Sequence, residues 1–78
     1  MLNELDTVRV VRLNTIDREF SGSDGIKRPP QLGDIGVIVH SYDPTDDSAP
    51  FIVECVAPDG MTVWLADFGP DELELHTP

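Results

Sequence analysis

Apolar and polar residues alternate along this chain in short bursts, each bounded by Gly, Pro, Asn, Asp or Ser. That period of two predicts β-strands, because successive strand side chains point to opposite faces. Residues 7–13 (TVRVVRL) put Val8 and Val10 on one face and Arg9 on the other, and read as a first strand. Gly33-Asp34 introduces a second, residues 35–42, in which Gly36 marks a bulge or a close backbone approach. Residues 51–56 form a third, with Phe51, Val53 and Cys55 on one face and Glu54 opposite. Residues 57–60 make a tight turn ending in Gly60, which can take positive φ, and residues 61–66 pair back as a fourth strand. Residues 70–73 begin with proline and fit one helical turn, and residues 73–76 fit a short last strand.

Two polar stretches separate these elements. Residues 14–33 form a long loop, with room for a short strand at residues 16–20 and a Pro29-Pro30 pair that stiffens its exit. Residues 43–50 contain two prolines and three aspartates and have no sheet propensity. No amphipathic helix of ordinary length and no internal repeat is present. The order of elements predicts a single all-β domain over residues 1–78. It is a small five-stranded SH3-like barrel with a long first loop and one short helical turn before the last strand. Closing the sheet would remove its exposed edges. The ends, residues 1–5 and 76–78, are expected to fray.

Length and charge narrow the picture. At 78 residues the chain is too short for a doubly wound or TIM-barrel enzyme, and its core can supply only a few kcal/mol. Residues 1–28 carry five bases and five acids, whereas residues 29–78 carry ten acids and no Lys or Arg, so the net charge of −10 belongs to the second part. Phosphate binding rests on Lys and Arg, so no nucleic-acid partner is expected. An anionic leaflet would repel this surface as well. Apolar runs such as Val37-Ile38-Val39 fall far short of the roughly 20 residues that span a bilayer. The acidic start has no apolar signal region, and the single Cys55 fits a reducing compartment, so a cytoplasmic protein is expected.

Specific residues carry a resemblance. Arg28-Pro29, then Gly33, Gly36 and Val37, then the aspartate-rich loop, then the 51–55 run, then an acidic Leu-containing tail, resemble the SH3-like barrel at the C-terminal end of the nitrile hydratase β-subunit. The segment GDIGVIV and the hairpin at residues 53–60 also look like a family of small stand-alone bacterial proteins of uncharacterised role, in which phenylalanine usually stands where this chain has Cys55. The likeness covers most of residues 7–75. It implies a barrel that contacts another protein. In nitrile hydratase the catalytic metal and its cysteine cluster lie on the other subunit, so no catalytic residue carries over.

Candidate chemistry is sparse. Cys55 sits on the apolar face of its strand and reads as a small buried hydrophobe rather than a nucleophile. His40 and His76 with Asp43, Asp46 and Asp47 match no zinc or EF-hand spacing, so neither metal nor cofactor is expected. The paired carboxylates Asp46-Asp47 and Asp71-Glu72 lie in polar segments, and the second pair favours the start of the helical turn. Phe51 is expected in the core. Trp64 alternates with Val63 and Leu65: it is exposed or covers an end of the barrel if those two are core, and otherwise a core side chain with a satisfied N–H. An exposed set of Tyr42, Trp64 and Phe68, with Asp43, Asp46, Asp47 and Arg28, is the candidate partner-binding surface. The leading expectation is a non-catalytic protein-interaction module, an acidic barrel that binds a protein with a basic surface. It would act as an accessory subunit or as the neutralising partner of a basic protein. The alternative is a nitrile hydratase β-subunit-like component of a metalloenzyme complex. A self-contained enzyme is not expected.

Overall fold

The computed structural model describes residues 2–77. Five strands follow one another: β1 (Thr7–Val10), β2 (Ile35–Ser41), β3 (Phe51–Val56), β4 (Thr62–Phe68) and, after a 3-10 turn at Pro70–Glu72, β5 (Leu73–Leu75). They make one antiparallel sheet in the order β4-β3-β2-β1-β5. The all-β class and the single helical turn before the last strand are as the sequence predicts. β1 is shorter than predicted and stops at Val10, whereas β4 is longer and runs on to Phe68.

One face of the sheet is the core. Val8, Val10, Ile38, Val53, Trp64 and Phe68 are each less than 2% exposed, with Phe51, Cys55, Ala66 and Leu73 packed among them. Each large side chain so buried contributes about 1.5–3 kcal/mol relative to exposure. Register fixes which residues face in: Cys55 lies opposite Trp64, Val53 opposite Ala66 and Phe51 opposite Phe68. Gly36 marks a close approach and not a bulge. A Cβ there would lie 2.8 Å from the Glu54 carbonyl oxygen and 2.8 Å from Val53 Cγ1. The β2–β3 register shift falls further on, between Ile38 and His40. It lets both Ile38 and Ser41 face inward although they lie three positions apart. Gly60 closes the β3–β4 turn at φ 87°.

The sheet does not close on itself: β4 and β5 are its two edges and form no ladder with each other. The long loop, residues 11–34, fills that seam. On one side Val11 and Arg12 donate to the Glu72 carbonyl at 2.8 and 3.4 Å; on the other Ser23 donates to Thr62 O at 2.8 Å and Arg28 to Val63 O at 3.3 Å. The strand expected at residues 16–20 is reduced to an isolated bridge between Ser21 and Leu65. Arg18 lies in the middle, its guanidinium 4.1 Å from the Phe68 ring centroid and paired with Glu72, whose side chain is 4% exposed. Glu72 also accepts from Asn14 N at 2.8 Å and Gly69 N at 2.9 Å. Burial opposes ionisation of Glu72, but these hydrogen bonds and the Arg18 charge outweigh it and hold the carboxyl below its ordinary 4.5.

Residues 2–5, expected to fray, are tied with Asp6 to β2. Leu5 N donates to Ile38 O at 2.7 Å, Ile38 N donates to Asp6 O at 3.0 Å, and Leu2 packs against the core. Met1 and Pro78, also expected to fray, lie outside the described residues. His76 N donates to Thr7 O at 2.9 Å, which extends the β1–β5 pairing by one residue beyond the strand. No helix of the described residues is long and apolar enough to cross a membrane.

Candidate functional site

The N-terminal arm and the aspartate loop after β2 approach one end of the sheet and enclose a groove of about 720 Å³. Its floor is apolar: Leu2 from the arm, Phe51 from β3 and Leu73 from β5, flanked by Pro44 and Pro70. Its rim carries Glu4, Asp43, Asp46 and Asp47, with no Lys or Arg among its lining residues. The loop holds its shape through its own side chains. Asp43 accepts from Thr45 N and Oγ1 at 3.0 and 2.7 Å, and Asp46 accepts from Ser48 N and Oγ at 2.9 and 2.7 Å. The Ser48 donors hold the Asp46 carboxyl below the usual carboxylate range, so it is anionic at neutral pH. Glu4 accepts from Ser41 N at 3.2 Å and lies 3.6 Å from His40 Nδ1, which fixes the arm beside the loop.

The structure therefore brings three of the candidate residues, Asp43, Asp46 and Asp47, to one groove and separates the others from it. Trp64 and Phe68 are not surface rings. Trp64 is fully buried and Phe68 1% exposed, because Val63, Leu65 and Asp67 take the outer face of β4. The two rings pack together at 5.2 Å between centroids. Tyr42 is exposed on the outer face, edge-on to His40, and its hydroxyl donates to Asp67 at 3.1 Å, which raises the phenol above its usual value.

Arg28 is committed to the fold. Its Nη1 and Nη2 donate to the two oxygens of Asp34 at 2.8 and 3.0 Å. Trp64 Nε1 and Gln31 N add 2.8 and 2.9 Å bonds to Asp34 Oδ2. Burial works against the Asp34 charge, but these donors prevail and keep its carboxyl below the ordinary 3.8. Cys55, close to this pair, is buried, and burial pushes its thiol up from 9.0, the direction of an unreactive sulfur. Among the described residues no three His, Cys, Asp or Glu side chains are grouped so as to hold a metal ion.

Sequence reasoning missed the apolar half of the groove. Leu2 and Glu4 sit in a segment read as frayed, and Leu73 joins Phe51 only because the β1–β5 pairing brings the last strand back. Comparison of the chain with protein families, with curated proteins and with solved structures gave no match.

Proposed function

We propose that this chain is a non-catalytic module that binds another protein, holding a basic, partly apolar segment in the groove between the N-terminal arm and the aspartate loop. The observation that carries this reading is the pairing of an apolar floor (Leu2, Phe51, Leu73) with a rim of four carboxylates and no base. Apolar contact supplies affinity, and the carboxylates supply orientation and selectivity for Lys or Arg flanking the inserted side chain. The net charge of −10 steers such a partner toward the whole surface from a distance. Asp47 has no ion-pair partner among the described residues and is exposed, so it is free to meet a cation.

Capture from the native host with the tagged chain tests this. A protein with a basic segment should be retained by the wild-type chain, released by raised salt, and lost in Asp47→Lys. Equal retention by both chains, or retention insensitive to salt, contradicts the proposal.

A further inference from the structure

A second surface lies along the β4 edge of the sheet. Antiparallel pairing alternates, so every second residue of an edge strand turns its N–H and C=O away from its neighbour. On β4 these include Val63 and Leu65; at the β3–β4 register shift the Thr62 carbonyl also turns outward, to Ser23. Val63 O accepts from Arg28, and Leu65 exchanges both backbone bonds with Ser21 at 3.0 and 2.8 Å. The same alternation turns the N–H and C=O of Asp67 to that side. Glu19 would face Asp67 if the loop continued as a strand, yet the Ser21–Leu65 bridge stands isolated.

The space left open is a groove of about 660 Å³, whose lining includes Asp17, Arg18, Glu19, Phe20, Ile52 and Asp67. Two features define what it accepts. Asp17, Glu19 and Asp67 form no ion pair with a base among the described residues, and Arg18, the groove's one base, is already neutralised by Glu72. The groove is thus anionic. Arg18 is also nine-tenths buried, and its Nη1 has no acceptor among the described residues. An unmet buried donor is costly, and an incoming carbonyl would satisfy it.

We infer that this edge is a strand-addition site: an extended segment of another protein, carrying Lys or Arg, exchanges backbone hydrogen bonds with Asp67 and brings a carbonyl to Arg18. The partner residue directly opposite Asp67 places its side chain on the same face as the Asp67 carboxylate, so Lys or Arg is favoured there. Nη1 is screened from water in the free chain, so this contact requires residues 15–20 to shift on insertion. The main chain of the added strand supplies affinity and the acidic rim selects its sign. This site shares no lining residue with the groove proposed above and stands or falls apart from it.

The probe is an acetylated, amidated hexapeptide of alternating Lys and Val, titrated into the isotope-labelled chain. The Asp67 amide should shift, and its exchange with solvent should slow about tenfold or more. N-methylation of the Lys nitrogens, which face Asp67, should weaken binding about tenfold or more, while N-methylation of the Val nitrogens should leave it nearly unchanged. Asp17→Lys with Glu19→Lys, both at exposed positions, should also weaken it about tenfold. An unchanged Asp67 amide, equal affinity of the two methylated peptides, or shifts confined to residues 2–4 and 43–47 would overturn the inference. The last of these would leave the first groove as the binding site.

Discussion

The indole N–H of Trp64 donates to Oδ2 of Asp34 at 2.8 Å, joining the middle of β4 to a residue thirty positions earlier at the exit of the long loop. The same carboxylate accepts from both Nη atoms of Arg28 and from the amide of Gln31. One side chain thereby satisfies the only polar atom of the most buried ring and anchors the double-proline end of the loop.

Replacing Asp34 should therefore cost more than a surface acid. Asp34→Ala leaves the buried indole N–H unmet and frees the loop exit, and should lower stability by about 3 kcal/mol in urea unfolding. Arg28→Ala should cost less, because its side chain is 39% exposed and the pair is partly screened.

Arg18 and Glu72 stand where a β4–β5 ladder would close the barrel, and their loss should be non-additive. Glu72→Gln alone leaves a buried cation without its counter-charge and should destabilise strongly. In a double-mutant cycle with Arg18→Met the coupling should be about 1–3 kcal/mol, against nearly zero for the exposed Arg12 and Asp71 pair.

Acid should weaken these contacts in a defined window. Native Glu72 and Asp34 ionise below their ordinary values of 4.5 and 3.8, so the unfolded chain takes up protons first as pH falls. The stability they contribute is complete above the ordinary values and is lost as pH drops through the native ones. Relief of repulsion among the exposed acids acts the other way. The measurement is therefore a difference: the stability gap between the wild-type chain and Asp34→Ala should be constant from about pH 7 to 6 and shrink steadily from about pH 5 to 3.

Gly22 should resist substitution. A Cβ there would lie 2.6 Å from the Val63 carbonyl oxygen and 2.7 Å from Lys27 Cβ, both on the surfaces the loop holds together. Gly22→Ala should lift the loop from the β4 edge, lower the melting temperature and speed amide exchange at Ser21 and Ser23, whose N–H groups bond that strand.

The strands were legible because period two is a local signal: Val8, Val10, Phe51, Val53 and Cys55 all face inward as their alternation requires. The inward face of β4 was ambiguous from its own residues, since Val63 and Leu65 are as apolar as Trp64. Only pairing with Cys55 and Phe51 decides it, and pairing is non-local. The aspartate loop was legible as an acidic surface. Its apolar floor was not, because Leu2, Phe51 and Leu73 are far apart in sequence and meet only through the docked arm and the β1–β5 pairing. The pairing of Arg18 with Glu72 was not legible for the same reason: 54 residues separate them.

Selection of random peptides on the immobilised chain at low salt tests the binding groove most directly. The account predicts enrichment of sequences with Lys or Arg flanking an aliphatic or aromatic residue. They should be released when salt shortens the Debye length to about 3 Å near 1 M and should not be retained by Asp47→Lys. Enrichment of acidic or uncharged sequences, or equal retention by the Asp47→Lys chain, would contradict it.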